Sequence, residues 1–480
     1  MLFNSSGYGV FLILLLVFYY FTPKSWRWIL LLASSVYFYT TWNSFFLIVV
    51  GLSILVDYIC GLAIYNSKLQ WQRKALFWSS IVSNIGLLFF FKYHNFFAEN
   101  INTVFSALNI AILIPKNSLP FPIGISFYTF QTLSHTIDVY KGFRKPERNL
   151  GVFSLYVLFF PQILAGPIER SKNLLPQLNN LSLLSSENVT AGARLILWGL
   201  FKKMVVGDRI GGLVDLVYGS PETYKGLPLM IGSCLFTVQI FCDFSGYSDM
   251  AIGSARLFGV KLSKNFDNRV YFANSKANFW KGWHITLSDW FRDYLFFAVL
   301  GKGRTQVRFY LSLLFVFFIT GLWHGANWGF VIWGTLNGVW IATERLTYKW
   351  RFKQFDKFGL LRFPRVFNFF CIAFIFLTTS FTAMWFKSES WEAGAIILGH
   401  SLDWGSFGKN PLTLKEVQEI GFCVIVFVLM DIINVTMKLN DFSEWIAKKS
   451  FLLRWTIYIV LVEAILNFGI ASNEFYYFKF

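Results

Sequence analysis

Apolar positions in this chain come in long unbroken runs, not in alternation. Residues 10–21, 45–64 and 75–91 are almost wholly hydrophobic, and none shows the period of two that a half-buried strand needs. In lipid every backbone polar group must be satisfied internally, so a spanning segment is a helix or part of a closed barrel. Without alternation, helices are expected. Roughly 20 apolar residues cross a bilayer, so the apolar content predicts about 10 to 13 membrane helices. The pattern places spans at 7–21, 29–39, 45–64 and 75–91, and later at 326–342, 364–386, 417–436 and 452–470. Residues 96–119 are less apolar and are expected along the outer face. With no fixed-period repeat and no long linker, residues 1–480 read as one membrane-embedded domain.

The breaks in the pattern are informative. Pro120 and Pro122 suit the first turn of a helix, where a missing N–H costs little. Beyond them Gln131, His135 and Asp138 share one helix face that must look at protein or water. A polar seam and a reactive role both fit. Pro161, Gly166 and Pro167 interrupt an apolar run, which membranes tolerate only where the chain is buried or lines a cavity. A helix over 190–218 carries Lys202, Lys203, Asp208 and Arg209, expected near one surface. Asp243 and Asp249 sit in an apolar stretch, where each costs about 2.5–3.5 kcal/mol at mid-bilayer. They lie near an interface or face a wet cavity, and the cavity is the favoured reading.

Composition agrees with the pattern. Of 480 residues 55% are hydrophobic, 57 are Phe and 19 Trp, and only 14% are charged. A soluble domain carries about 25% charged residues. The net charge of +17 would suggest nucleic acid in a soluble protein, but the basic residues gather in short loops between apolar runs. Basic loops after the first and third spans point to the cytoplasm and place the N-terminus outside. The five Cys are scattered without C-x-x-C spacing, so neither a metal site nor a disulfide framework is expected. The first run lacks a preceding basic residue and a cleavage site, and reads as a retained helix.

The chemistry concentrates in residues 271–328, between two histidines. Taken as one helix, 276–298 puts Trp280, His284, Leu287, Phe291, Tyr294 and Ala298 on a single stripe. Lys281, Ser288, Asp289 and Arg292 fall elsewhere. The segment 264–293 is too charged to cross lipid and should lie in the interface or re-enter the protein. By chemistry alone a core imidazole bonded to a backbone carbonyl is the favoured reading of His284. His324 is flanked by Gly321, Gly325 and Gly329, whose spacing lets another helix approach closely. Thr320 and Trp328 are expected one turn to either side. An imidazole with a pKa near 6.5 suits proton transfer at neutral pH, and a dry site keeps water from an acyl group. His324 could take the proton of a hydroxyl as its oxygen attacks a thioester, or could simply be a helix-packing residue. No nucleophile elbow, Walker loop or HExxH motif is present.

The stretches FCDFSGYSDMAIG, NFWKGWHITLSDWFRDYLF and GLWHGANWGFVIWG, taken in order, resemble the membrane-bound O-acyltransferase family. PIGISFYTFQTLSHTIDVYKG, FFPQILAGPIER and the terminal NEFYYFKF are similar to its bacterial alginate O-acetyltransferase branch. The resemblance covers nearly the whole chain. It implies an all-α polytopic membrane protein with re-entrant or interfacial helices around a central tunnel, in a bacterial cytoplasmic membrane. It implies that His324 is the catalytic histidine and His284 the second signature histidine. Trp280, Trp283, Trp323, Asn327, Asp249 and Asp289 are the candidates for substrate contacts along that tunnel. It also implies acetyl-CoA as donor substrate with no resident cofactor, an exported polysaccharide as acceptor, and an extracytoplasmic hydrolase-like acetyltransferase partner. The alternatives are D-alanyl transfer from a carrier protein to teichoic acid, and a secondary transporter or flippase. Paired discontinuous helices and detectable halves, which transporters often show, are not visible.

Overall fold

A computed structural model describes residues 1–303, 305–388, 390–403, 405, 412–437, 441–470 and 475–476. Every regular element among the described residues is helical. They group into two compact units, Met1–Ile196 with Tyr247–Ser263, and Leu197–Gly246 with Lys264–Phe480.

The first unit contains α1 (Ser6–Phe21), α2 (Arg27–Thr40), α3 (Phe45–Asn66), α4 (Gln70–Leu88), α5 (Ile125–Tyr140) and α6 (Leu150–Leu158). Ser5 starts α1 by accepting a hydrogen bond from Tyr8 N on its hydroxyl, and Asn149 caps α6 in the same way. Through a π-helical turn at Phe89–Tyr93, α4 continues into a helix His94–Ala107. Much of the segment expected along the outer face is thus the end of one 38-residue helix. Asp57, in the middle of α3, is made tolerable by hydrogen bonds alone. Its carboxylate accepts from Asn84 Nδ2 at 2.7 Å and Thr136 Oγ1 at 2.9 Å, and from the Ser80 hydroxyl. One buried group therefore ties α3, α4 and α5 together.

The polar face of α5 meets protein. Gln131, His135 and Asp138 are all buried, the His135 ring lies 4.9 Å from that of Phe153, and the Gln131 carbonyl accepts from Tyr156 Oη. The Pro- and Gly-broken segment after α6 is buried too. Gln162 Nε2 donates to the Tyr156 carbonyl at 2.7 Å, and Tyr156 Oη donates to the Glu169 carbonyl at 3.0 Å. Side chains there replace the hydrogen bonds that a continuous helix would have made.

The second unit takes residues 227–246 of α7 (Leu227–Leu257), then α8 (Lys276–Gly282), α9 (Ile285–Trp290), α10 (Gln306–His324), α11 (Trp328–Leu346), α12 (Pro364–Lys387), α13 (Leu414–Met437) and α14 (Phe451–Phe468). Glycines let α10 and α11 touch. A Cβ at Gly321 would collide with the Phe330 carbonyl, and one at Gly334 with the Phe317 carbonyl. The expected role of Gly321 in close helix approach is met.

Two readings of charge change here. Lys202 and Lys203 lie on a π-helical turn, Phe201–Gly207, and are buried instead of near a surface. Lys203 Nζ bonds Asp208 at 2.7 Å and pairs with Asp243, so Asp243 faces a buried cation and not a wet cavity. The terminal NEFYYFKF lies largely outside the described residues. Its Phe475 and Tyr476 are buried, and Tyr476 N donates to Asp243 Oδ2 at 3.0 Å.

Seven helices among the described residues are long and apolar enough to cross a membrane, so this is a multi-pass membrane protein. The count of about 10 to 13 expected from apolar content is higher because several apolar helices are short. At 1.5 Å per residue, the 16 residues of α1 and 14 of α2 reach roughly 24 and 21 Å, less than the hydrocarbon core of about 30 Å.

Candidate functional site

His324 ends α10. The chain reverses over Gly325–Asn327, and the Asn327 side chain caps α11 by accepting from Gly329 N at 2.7 Å. Trp328 therefore opens a new helix and is exposed, instead of lying one turn beyond His324. The imidazole of His324 is 3% exposed and boxed by rings. Trp333 of α11 meets it edge-on at 5.0 Å, Phe386 of α12 at 5.2 Å and Trp323 at 4.9 Å.

One face of His324 opens on a cavity of about 30 Å³. A site of that size holds about two waters, or a two-carbon acyl group in their place. Trp280 and Phe279 of α8, with Trp283 after it, line one side. Trp333 and Asn337 of α11 and Thr379 and Phe386 of α12 line another, and α7 adds Phe236 and Thr237. Trp280 is held in place by its Nε1, which donates to Asn337 Oδ1 at 3.3 Å. The wall is apolar apart from the imidazole and a few hydroxyl and amide groups, which limits the water that could compete with an alcohol for an acyl group.

His284 occupies a different environment. The helix expected over 276–298 breaks at this residue, which adopts φ 43° before α9 begins, a left-handed conformation uncommon for a side chain with a Cβ. The single stripe read over this region is therefore two short helices followed by a π-helical turn, Phe291–Phe296. Asn265 causes the break. Its backbone carbonyl accepts from Ile285 N at 2.8 Å. Its Oδ1 accepts from Thr286 Oγ1 at 2.8 Å and lies 3.0 Å from His284 Nδ1. An oxygen in that position calls for a proton on Nδ1. His284 is 0% exposed, and burial pushes its pKa down to about 3. It is neutral throughout the physiological range and stacks edge-on against Phe244 at 4.7 Å.

The two imidazoles do not share the cavity. The Trp323 ring is close to both, 6.0 Å from His284 and 4.9 Å from His324. Trp280 and Trp283 line the cavity, whereas Trp323 is not among its lining residues and packs against both imidazoles. Asn327 serves as a helix cap. Asp289 is 41% exposed at its side chain and pairs with Arg292 at 2.6 Å. Asp249 belongs to the first unit, part-buried on α7. The sequence reading missed Asn265, Trp333, Asn337, Thr379 and Phe386. The last four line the cavity at His324, two from α11 and two from α12, and nothing local distinguishes those faces from ordinary packing. Among the described residues no cluster of three or more His, Cys, Asp or Glu side chains is suited to a metal ion.

A family model described as MBOAT, membrane-bound O-acyltransferase family, matches residues 147–388. The chain is similar over its whole length to a probable alginate O-acetylase of Pseudomonas putida, with 31% identity and 100% of both chains covered. It is 36% identical to a probable alginate O-acetylase of Azotobacter vinelandii, over 72% of this chain and 69% of that one. A peptidoglycan O-acetyltransferase of Helicobacter pylori is 30% identical over 83% of this chain and 77% of its own length.

Proposed function

Because the chain belongs to the membrane-bound O-acyltransferase family, we propose that it transfers acetyl groups from a cytoplasmic thioester, acetyl-CoA, for the O-acetylation of an exported polysaccharide. The cavity at His324 is where acetyl changes hands. The acceptor hydroxyl gives its proton to the His324 imidazole as its oxygen adds to the thioester carbonyl carbon. Collapse of the adduct re-forms the carbonyl, breaks the C–S bond and returns the proton to the leaving thiolate. General base catalysis of this kind contributes roughly a hundred- to ten-thousandfold. His284, neutral and fixed by Asn265, holds Trp323 and so the back of the site.

The observation that carries the reading is the size and lining of the cavity. It has room for a small acyl group beside the one imidazole, in a largely apolar wall. The family names of the relatives support acetyl as the group and a cell-envelope glycan as the class of acceptor. On this reading the enzyme lies in the bacterial cytoplasmic membrane with its N-terminus outside. An extracytoplasmic hydrolase-like acetyltransferase completes delivery to the glycan.

The test is a choice of donors. Native membranes carrying the protein are given acetyl-labelled acetyl-CoA, a D-alanyl-loaded carrier protein, or no donor. Label should pass from acetyl-CoA into the glycan fraction. Transfer of D-alanine alone, or solute movement that needs no donor, would overturn the proposal.

A further inference from the structure

The cavity wall has a buried cation behind it. Lys276, the first residue of α8, is 1% exposed. Its Nζ donates to Thr379 Oγ1 at 2.8 Å, and Thr379 faces the same cavity as His324. Among the described residues Thr379 is the one hydrogen-bond acceptor on this ammonium, which has three N–H donors. The Phe279 ring lies 5.1 Å from the Nζ and adds a cation–π contact. Glu344 of α11 does not bond the ammonium. It is spent on the start of α8, accepting from Lys276 N at 3.2 Å and Ala277 N at 3.3 Å. A lysine this deep, with a single acceptor, is costly to keep.

We propose that Lys276 is a positioning residue for acyl transfer: acting through Thr379, its ammonium sets positive charge behind the cavity wall that faces His324. The inference rests on the acyl-transfer reading of that cavity. When the acceptor oxygen adds to the thioester carbon, the carbonyl oxygen becomes an oxyanion. A fixed positive charge in a water-poor site stabilises that oxyanion more than the neutral thioester, and so accelerates the step. No covalent change occurs at Lys276. Its proton stays on Nζ and the Thr379 hydroxyl keeps its bond to the Ile375 carbonyl at 2.7 Å.

Burial lowers the Lys276 pKa to about 7, with Glu344 opposing the shift. The other charged or titratable groups on elements packed against α8 are Asp289 of α9, His284 just before it, Tyr271 of the turn Val270–Phe272 and Arg345 of α11; α12, which carries Thr379, has Arg365, Cys371 and Lys387. Of these, His284 is already neutral above pH 3. The ammonium is charged below about pH 7 and loses its proton as pH rises through that value, so turnover should fall on the alkaline side. In the unfolded chain Lys276 keeps its proton up to its ordinary pKa near 10.4. The folded state is therefore penalised at acidic and neutral pH, and the penalty fades as pH rises from about 7.

The experiment uses the full chain in nanodiscs, with acetyl-CoA as donor probe and the cell-envelope glycan fraction as acceptor, across pH 5.5–9. K276M should lower kcat roughly ten- to a hundredfold with little change in KM and should lose the alkaline fall. Its thermal stability at pH 6 should equal or exceed that of the wild type. K276R should restore kcat and stay active at high pH, because its charge persists. T379V should also lower kcat, with the alkaline fall moved to lower pH because the ammonium has lost its acceptor. Wild-type kcat in K276M, or in T379V together with an unmoved pH profile, overturns the role. If K276M does not fold, the T379V profile decides. A wild-type enzyme that moves no acetyl at any pH overturns the acyl-transfer reading and this inference with it.

Discussion

At the scale of single residues, the two histidines have separate tasks. His324 is next to space and His284 is next to Asn265. Asn265→Leu removes the acceptor used by both the backbone N–H and the hydroxyl of Thr286. We expect about 1–3 kcal/mol of destabilisation, read by thermal unfolding in detergent, with a larger loss in turnover than in insertion. His284 also makes stability depend on pH. Its folded pKa lies near 3, below the 6.5 of the unfolded chain, so the unfolded state takes up a proton first as pH falls. The contribution of His284 is complete above about pH 6.5 and declines toward pH 3, by about 1.4 kcal/mol per pH unit. The stability gap between wild type and His284→Gln should narrow on going from pH 7 to pH 5, and a constant gap would refute the assignment. Both histidines were legible in the sequence as the imidazoles of an apolar, Trp-rich region. Asn265 was not, because its partners lie 19 to 21 residues away and no local pattern marks them.

At the scale of elements, the site is built by interruptions. The α8–α9 break turns the chain at His284, the α10–α11 reversal leaves His324 at a helix end, and glycines bring those two helices together. Gly334→Val would drive a side chain into the Phe317 carbonyl and the Gly321 backbone. Overpacking of this kind costs about 1–3 kcal/mol, and here it should also distort the wall formed by Trp333. A Gly334→Val enzyme with wild-type stability and turnover would show that the close approach is dispensable. Gly321 was readable in advance as a small residue on a packed helix, but the reversal at Gly325 moves Gly329 onto the next helix, and nothing in the spacing marked Gly334. The break at His284 was not readable, since the 3.6-residue period ran straight through it and a left-handed histidine leaves no trace in hydropathy. The same limit hid the Asp57 knot in the first unit, where the acceptors and donors come from three helices. Asp57→Ala leaves three buried donors without that acceptor and should cost about 1–3 kcal/mol or more in thermal stability while leaving the KM for donor unchanged.

At the scale of the whole molecule, the chain is a membrane protein whose apolar surface faces lipid and whose charges are grouped. Exposed Phe, Leu, Ile and Val side chains along α1, α3, α12, α13 and α14 are what a bilayer requires and what water would not allow. Fold class could be read from run length alone, because burial in lipid leaves so few options. The number of full spans could not, since a 14- or 16-residue apolar helix has the same composition as a longer one. The four-walled cavity could not either. Its lining comes from α7, α8, α11 and α12, which are separated by up to about 150 residues of chain. The basic loops after α1 and α3 predict an extracytoplasmic N-terminus, which cysteine labelling with a membrane-impermeant maleimide at an engineered Asn4→Cys would read directly. Labelling in intact cells supports that orientation, and labelling only after lysis reverses it.

The central measurement is acetyl transfer by His324→Ala. Membranes carrying equal amounts of inserted wild-type and variant protein are given labelled acetyl-CoA, and label is followed into the glycan fraction. The expected result is a fall in transfer of at least about a hundredfold with unfolding temperature within a few degrees of the wild type. Transfer at the wild-type rate from a protein that lacks this imidazole would contradict the account.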